Sequence, residues 1–210
     1  MCERPILMNG PMVRAILAGR KTQTRRVARL NDSGRVQLRG RQWHPHDQAA
    51  RLACHFGQPG DRLWVRETTV RVEEHGYCGP VYAESDNGRA CLDWGLAPAP
   101  DDVCEVEPHE LKLRPAIHMP RSMCRLVLEI TDVRVERLQA ISEADAMADG
   151  IEVINGRHTF NGGLHESRTA RESFQALWTS TGGDWGSNPW VWVIEFKRVA
   201  GTEGRSDEGR

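Results

Sequence analysis

The alternation of apolar and polar residues along residues 121–138 constrains the fold more than any other feature of the sequence. Leu126, Leu128 and Ile130 occupy alternate positions, separated by residues that include Glu129. Successive side chains of a β-strand point to opposite faces, so a period of two is typical of a strand with one buried face. The segment therefore predicts a long strand or a bent pair of strands, which requires a sheet around it.

Shorter segments of the chain carry strand, helix and loop signals. Runs rich in β-branched and aromatic residues predict further strands at 5–8, 20–27, 62–65, 68–73, 79–84 and 190–198. Apolar residues at helical spacing between cap signals predict helices at 10–19, 142–149 and 166–179. Polar or aperiodic stretches predict irregular segments at 30–56, 86–110 and 155–165. Scattered helices among more numerous short strands predict an α+β fold built on a small mixed β-barrel.

The size and hydropathy of the chain limit its class. Its 210 residues fit one domain, predicted over 1–199, followed by a polar tail at 200–210 that we expect to be disordered. The longest apolar stretches fall far short of the roughly 20 residues that span a bilayer. The chain does not open with a basic segment followed by an apolar one. We therefore expect a cytoplasmic protein that does not enter a membrane.

The near-neutral net charge of −1 conceals a strong polarity along the chain. Residues 1–71 hold 14 basic and five acidic side chains, whereas residues 72–111 hold one basic and ten acidic side chains. Of the 28 basic residues only three are lysines, namely Lys21, Lys112 and Lys197. A basic N-terminal third suits contact with phosphates, and the acidic middle either shields that surface or pairs with it.

The six cysteines do not form a metal-binding pattern of the usual kind. Cys78, Cys91 and Cys104 are evenly spaced, with His75 and His109 nearby, but zinc sites generally bring their ligands in tight pairs. Free thiols in a reducing compartment are the expected state. We predict no metal and no cofactor.

Five motifs in order along the chain resemble those of ASCH-domain proteins of the phage and prophage type, in the PUA-like superfamily. The motifs are Gly19–Arg26, Pro59–Glu67, Ile117–Arg121, Ile130–Val133 and Trp190–Phe196. The resemblance spans about 5–199, interrupted by insertions at about 30–56 and 75–115. It implies a PUA-like β-barrel with helices packed on the outside and a cleft suited to RNA or a modified nucleobase. If a phage encodes the chain, its location is the host cytoplasm.

The resemblance also implies a chemistry, because some small ASCH proteins remove the acetyl group from N4-acetylcytidine. Those proteins use a lysine, a threonine three residues later and a glutamate in the helix after the long strand. Here Lys21 and Thr24 match the first two positions, and Asp149 falls on the third. The aspartate is one methylene shorter than the family's glutamate, and Glu152 and Glu143 are nearby alternatives for the acid.

The residues of the first motif allow amide hydrolysis on chemical grounds. Thr24 can supply a hydroxyl nucleophile, and Lys21 a base if burial and the positive charges of Arg20, Arg25 and Arg26 lower its pKa. Asp149 or a neighbour would then protonate the leaving amine. Residues three apart on a regular strand face opposite sides, so Lys21 must lie in the turn before the strand or a bulge must intervene. The alternative is a solvated basic strand, on which Thr22 and Thr24 share a face.

The remaining candidate residues have both structural and functional interpretations. Trp64 is either a core anchor or a platform for base stacking. Arg66 and Glu67 form an ion pair, or Arg66 reaches a phosphate or base. His118 is either buried and hydrogen-bonded, or pairs with Arg121 to contact a base or phosphate. Together with the basic motif they form the predicted binding set, which comprises Arg20, Thr22, Arg25, Arg26, Trp64, Arg66, Glu67, His118 and Arg121.

Three functions fit these observations. The leading hypothesis is an amidohydrolase of N4-acylated cytidine-type substrates that uses Lys21, Thr24 and Asp149. The second is a non-catalytic module that binds RNA or a modified base through the basic N-terminal surface. The third is a metal-independent ribonuclease that uses His118 and Lys21. The expected partner is a nucleoside or RNA, with DNA as a further possibility, and the sequence does not indicate an oligomeric state.

Overall fold

The computed structural model describes residues 1–72, 81–160, 163 and 165–199, which divide into two compact units. Unit 1 comprises 1–4, 15–63 and 127–199, and unit 2 comprises 5–14 and 64–126. The helices are α1 Gly10–Leu17, α2 Asp86–Trp94, α3 Glu143–Ala148 and α4 Ala170–Ser180. The strands are β1 Glu3–Leu7, β2 Gln23–Val27, β3 Val36–Leu38, β4 Arg41–Trp43, β5 Arg62–Arg66, β6 Thr69–Val72, β7 Val81–Tyr82, β8 Leu96–Ala99, β9 Asp102–Glu105, β10 Leu111–Arg114, β11 Val127–Arg137, β12 Glu152–Ile154, β13 Arg157–Phe160, β14 His165–Ser167 and β15 Trp190–Arg198.

A five-stranded sheet has the order β1–β5–β11–β15–β2, and its strands β11, β15 and β2 lie within unit 1. The amide of Arg62, the first residue of β5, donates at 2.8 Å to the carbonyl of Cys2, which precedes β1. β15 pairs antiparallel with both β11 and β2. The register of β11 shifts between Ile130 and Asp132, so the long strand predicted from the alternation carries a bulge. Its apolar residues pack inside as predicted, with Leu128 and Ile130 at most 1% exposed.

The predicted α+β class is confirmed, but the predicted barrel is not closed by the strand pairings of the described residues. The five-stranded sheet ends at β1 on one side and at β2 on the other. Smaller sheets accompany it, namely β12–β13–β14 and the β3–β4 hairpin in unit 1. The strands are therefore organised as several open sheets.

Three segments predicted to be irregular contain regular structure. Residues 30–56 hold the β3–β4 hairpin and a 3₁₀ helix, Gln48–Ala53. Residues 86–110 hold α2 and the β8–β9 hairpin. Within 155–165 the described residues include β13, although 161, 162 and 164 lie outside them. Periodicity missed these elements because their strands have only three or four residues and α2 carries few apolar side chains.

Local capping explains why α2 forms in an acidic segment. The Ser85 hydroxyl accepts from the Gly88 amide at 3.1 Å, and Gly95 ends the helix in the left-handed conformation with φ +67°. In unit 2 the helix belongs with the sheet β10–β6–β7 and the β8–β9 hairpin. A small apolar core joins these elements, made of Val70, Val72, Val81, Ala83, Cys91, Ala97 and Val106.

Strand β2 is far more buried than its basic sequence predicts. Gln23, Thr24 and Arg25 are consecutive and at most 2% exposed, whereas an exposed face was expected. A strand can bury charged residues only when the charges are paired. The pairing partners lie on β11, on α3 and just after α3, and they form the candidate site.

Two further expectations concern the chain as a whole. Among the described residues, no helix combines the length and apolar character needed to cross a membrane. The tail 200–210, predicted to be disordered, lies outside the described residues.

Candidate functional site

Helix α3 places the Asp149 carboxylate inside unit 1. The Ser142 hydroxyl accepts from the Asp145 amide at 3.0 Å and starts the helix, as the capping signal predicts. The helix ends at Ala148, Asp149 is its C-cap, and Gly150 turns the chain with φ +105°. A Cβ atom on Gly150 would lie 3.3 Å from the Lys21 Cβ. Glycine at this position therefore allows Lys21 to pack against the end of α3.

Three side chains converge on Asp149, and we call the set Lys21, Gln23, Arg25 and Asp149 the Asp149 cluster. The Lys21 amine donates to the Asp149 carbonyl at 2.7 Å and lies 3.4 Å from Oδ1. The Gln23 amide nitrogen donates to Oδ2 at 3.2 Å, and the Arg25 guanidinium donates to the same oxygen. The side chains of Lys21 and Asp149 are 1% and 2% exposed. The cluster is thus a buried, hydrogen-bonded ion pair network.

A second layer of charges extends the Asp149 cluster along the sheet. Arg25 Nη2 lies 2.7 Å from Glu136 Oε1 on β11. Arg134, also on β11, donates to Asp145 Oδ1 at 2.8 Å and pairs with Glu195. Sequence reasoning missed Gln23, Arg134, Glu136, Asp145 and Glu195. The signal for Arg134 and Glu136 was the run of charged residues on the long alternating strand, which a strand with a solvated face would also show.

The environment of Lys21 lowers the pKa of its amine. Burial lowers the pKa of Lys21 from its ordinary 10.5 to about 8, and the positive charges of Arg26 and Arg25 add to this effect. The Asp149 carboxylate opposes the shift through its charge and hydrogen bond. At that pKa, roughly a tenth of the amines are neutral at pH 7. Lys21 can therefore exchange a proton near neutral pH, whereas an arginine cannot.

Asp145 is held in its charged form. Burial alone would raise the pKa of Asp145, but hydrogen bonds from Ser142 and Gln23 and the charges of Arg134 and Arg25 lower it. Asp145 therefore acts as a fixed anion between the two arginines.

Thr24 lies on the opposite face of β2 from the Asp149 cluster. Gln23 and Arg25 share a face because side chains alternate along a strand, and the β2–β15 register is regular here. Thr24 is paired with Ile194 and lies on the other face. Lys21 precedes the first residue of β2, as one of the two predicted arrangements required. The structure thus brings Lys21 and Asp149 together and does not bring Thr24 to the same face.

The two alternative acids are engaged elsewhere. Glu143 accepts from the Ala170 amide at 2.7 Å at the start of α4. Glu152 lies 2.7 Å from the guanidinium of Arg20, at the edge of unit 1. Asp149 is therefore the carboxylate that pairs with Lys21.

The other basic-motif residues have different exposures. Thr22 is exposed, and its amide donates to the Ala148 carbonyl at 2.9 Å. Arg26 is half-buried, and its Nη1 donates to the Arg25 carbonyl at 3.2 Å. Burial lowers the pKa of Arg26, and the charge of Asp149 opposes that effect. Arg26 faces away from the Asp149 cluster, opposite Trp192 on β15.

The candidate residues of unit 2 form a separate arrangement. Glu67 pairs with Arg125, whose Nε and Nη2 donate at 2.9 and 2.8 Å, so the predicted ion pair with Arg66 is wrong. Arg66 instead donates to the Ile117 carbonyl and lies over the ring of half-buried Trp64, 5.5 Å from its centroid. The reason is geometric, because consecutive strand residues point to opposite faces.

His118 and Arg121 are both exposed, so the buried interpretation of His118 is wrong. His118 ends a short 3₁₀ helix, Ala116–His118. The next residue, Met119, is buried, and its sulfur accepts a hydrogen bond from the Glu67 amide. Exposure leaves His118 accessible for contact with a ligand. His118 belongs to unit 2 and Lys21 to unit 1, so their joint role in RNA cleavage stays a prediction.

Unit 1 also contains a cavity of about 660 Å³ on the face of the sheet opposite the Asp149 cluster, and we call it the Trp192 cavity. Sequence reasoning missed this cavity. The signal was the basic, histidine-rich composition of 30–56, which we interpreted as irregular. The lining residues are Arg26, Val27, Arg29, Leu30, Asn31, Gln37, Ala53, His55, Phe56 and Trp192.

The described residues contain no cluster of three or more histidine, cysteine, aspartate or glutamate side chains able to hold a metal ion. Cys78 and His75, part of the spacing considered for zinc, lie outside those residues.

Comparison with known proteins gives one structural similarity. The chain is similar to a crystal structure of an ASCH domain from Lactobacillus crispatus JV V101, with 11% sequence identity and a TM-score of 0.36. The alignment covers 94% of this chain and 79% of that chain. No protein-family model matches the sequence, and no curated protein does either.

Proposed function

We propose that the chain binds RNA or another single-stranded nucleic acid through the segment 29–55 of unit 1. The observation that carries this proposal is a set of five exposed arginines in that segment, against two acidic residues, Asp32 and Asp47. The arginines are Arg29, Arg35, Arg39, Arg41 and Arg51. Such a surface attracts phosphates, and its contacts with them release the counterions that are condensed on the nucleic acid.

The β3–β4 hairpin presents part of this surface in a fixed geometry. Its turn is made by Arg39 and Gly40, both with positive φ, of 49° and 80°. Arg41 lies over the ring of Trp43, 5.8 Å from its centroid. An arginine stacked on an aromatic ring offers a flat cationic platform for an unpaired base. The hairpin therefore suits a single strand, whose bases are free to stack.

The test is a titration of a fluorescent ten-nucleotide RNA, followed by anisotropy at several salt concentrations. We expect binding that weakens with salt. In a triple variant, Arg35→Gln, Arg39→Asn and Arg41→Gln, the slope of log K against log salt should fall by about 2, since single strands give roughly 0.7 per phosphate contact. Asparagine at 39 keeps the positive φ accessible.

The matched control removes three exposed arginines outside the segment: Arg89→Gln, Arg157→Gln and Arg168→Gln. It should leave the slope unchanged. The proposal would be overturned if the wild type did not bind the RNA at low salt, or if the two triple variants had equal slopes of log K against log salt.

A second candidate function is hydrolysis of an N4-acylated cytidine-type amide, favoured by the amine of Lys21, whose pKa is about 8 beside Asp149. Neutral Lys21 would take the proton of an attacking hydroxyl. The Lys21 ammonium would return that proton to the nitrogen as the acyl carbon–nitrogen bond breaks and the free amine leaves. With water as the attacking group the carboxylic acid is released at once, whereas with a threonine hydroxyl the acyl group is first held as an ester that a water molecule then hydrolyses. A recess of about 400 Å³, lined by residues that include Met147, Ala148 and Ile151, adjoins the chain neighbours of Lys21 and Asp149 and suits a small acyl group.

Incubation with N4-acetylcytidine, with cytidine release followed by chromatography, tests this function. Lys21→Arg keeps the charge but removes the base, so turnover should be lost. Thr24→Ala identifies the nucleophile: lost turnover indicates the threonine hydroxyl, and retained turnover indicates water. No turnover by the wild type, or full turnover by Lys21→Arg, would exclude the amidohydrolase.

A further inference from the structure

The Trp192 cavity has the size of a small-molecule site. Its volume of about 660 Å³ falls within the roughly 300–1,000 Å³ typical of ligand pockets. Strands β2 and β15 form one wall, through residues that include Arg26 and Trp192, and residues within 29–56 form the rest. All of its lining residues belong to unit 1.

The positive charge of the cavity lining favours an anionic ligand. Two arginines, Arg26 and Arg29, line the cavity, and none of its ten lining residues is acidic. Arg26 is positioned by β2, where its Nη1 donates to the Arg25 carbonyl at 3.2 Å. Guanidinium groups bind phosphate through paired N–H donors, so two of them in one cavity suit a phosphate group.

Aromatic surfaces lie in the same cavity as the arginines. Trp192 is 3% exposed and lies opposite Arg26 in the β2–β15 register. The rings of Phe56 and His55 are tilted by 38° with their centroids 4.1 Å apart. Burial lowers the pKa of His55, and the positive charges of Arg4 and Arg29 lower it further. At neutral pH the imidazole is therefore uncharged and offers one donor and one acceptor.

Side-chain amides complete the polar part of the lining. Asn31 Oδ1 accepts from the Ser33 and Arg35 amides at 3.1 and 2.9 Å, which fixes this side chain in a turn. Asn31 Nδ2 donates to Gln37 Oε1 at 3.2 Å, which orients the Gln37 amide group in the cavity wall. Amides of this kind form hydrogen bonds with the edges of nucleobases.

We propose that the Trp192 cavity binds one phosphorylated nucleoside, with its phosphate on Arg26 and Arg29 and its base against Phe56 and Trp192. An aromatic ring and a phosphate on one small ligand match the two kinds of surface in the lining. The ligand is either a free mononucleotide or one nucleotide of a strand bound along segment 29–55. The second form rests on the proposed function, and the first does not.

Isothermal titration of the full chain with cytidine 5′-monophosphate, cytidine and inorganic phosphate tests the site itself. We expect the monophosphate to bind at least tenfold more tightly than either fragment. Arg29→Gln and Phe56→Leu, each checked for folding by circular dichroism, should weaken it about tenfold. Arg157→Gln is the matched control, because Arg157 is an exposed arginine outside both the cavity and the segment.

The outcome that overturns the site is an absence of monophosphate binding at millimolar concentration, or an affinity in Arg29→Gln and Phe56→Leu equal to that of the wild type. Phosphate binding as tightly as the monophosphate would also overturn it, since it would indicate an anion site only.

An RNA strand carrying one 2-aminopurine distinguishes the two sources of the nucleotide. A fluorescence change that Phe56→Leu abolishes, while strand affinity persists, indicates a nucleotide of the strand. Strand binding without this change, together with tight monophosphate binding, indicates the free nucleotide. Monophosphate binding without any strand binding refutes the proposed function alone and leaves the cavity proposal supported.

Discussion

The amine of Lys21 donates to the main-chain carbonyl of Asp149 at 2.7 Å while lying 3.4 Å from the carboxylate of the same residue. One lysine thus neutralises the side chain and binds the C-terminal end of α3. Positive charge at a helix C-terminus is favourable. The interaction therefore ties the residue before β2 to the end of α3.

Lys21→Met should destabilise unit 1. Removal of the amine leaves the buried Asp149 carbonyl without its 2.7 Å donor, so we expect a loss of about 2 kcal/mol in the free energy of unfolding, although Gln23 and Arg25 still bind the carboxylate. A fully uncompensated buried charge costs roughly 3–5 kcal/mol. Urea denaturation measures the loss. Arg20→Gln, which removes a partly exposed ion pair with Glu152, should cost less than about 1 kcal/mol, and equal losses would contradict the prediction.

The stability contributed by Lys21 should rise with pH. Its folded pKa of about 8 lies below the ordinary 10.5, so between these values the folded state binds fewer protons than the unfolded state. Unfolding then takes up protons, and the free energy of unfolding increases by up to about 1.4 kcal/mol per pH unit. Other groups titrate in this range, so the quantity to measure is the difference between wild type and Lys21→Met at pH 7.5, 8.5 and 9.5. A difference that does not change with pH would refute the assignment.

Gly150→Ala should cost more than a glycine substitution at an open turn. The new Cβ would lie 3.1 Å from the Ala15 Cβ and 3.3 Å from the Lys21 Cβ, at φ +105°. Backbone strain and crowding together should lower the free energy of unfolding by about 3 kcal/mol. Gly156→Ala, with φ +75° and no heavy atom within 4 Å of the new Cβ, should cost about 1 kcal/mol. Thermal denaturation measures the midpoint temperature of unfolding of each variant. Equal decreases for Gly150→Ala and Gly156→Ala would contradict the prediction, because they would show that crowding at Lys21 is unimportant.

Arg125→Met should destabilise unit 2 by isolating a buried carboxylate. The Glu67 side chain is 1% exposed, and its two carboxylate oxygens accept from the Arg125 guanidinium at 2.9 and 2.8 Å. We expect a loss of about 3 kcal/mol in the free energy of unfolding. The double variant Arg125→Met with Glu67→Met removes both charges and should recover much of that loss. A double variant as unstable as Arg125→Met would show that packing, rather than the unpaired charge, dominates.

Strong periodicity predicted the main elements well. The final strand was predicted within 190–198 and is Trp190–Arg198, and Ser142 starts α3 as its capping signal indicates. The short elements were not predicted, because three-residue strands such as β3 and β4 are stabilised by turns and packing and have no sequence pattern of their own.

The sequence identified single members of the site but not their pairing. It selected Lys21 and Asp149, residues 128 positions apart that the structure brings together. It did not reveal that Gln23 completes the arrangement, because a glutamine in a basic run has no distinctive signal. It also could not place Thr24 on the opposite face, since this depends on where β2 begins.

The neighbouring arginines of β2 have a consequence for how the strand aligns with β15. Arg25 belongs to the Asp149 cluster and Arg26 to the cavity lining, and the two side chains are chemically identical. A slip of one residue would put Arg26 in place of Arg25 and so keep a guanidinium beside Asp149. It would, however, put Thr24 in place of Gln23, and a hydroxyl is too short to span from Asp145 to Asp149 as the amide does. The uncharged Gln23 therefore distinguishes the correct alignment from the shifted one, which two equal charges cannot do.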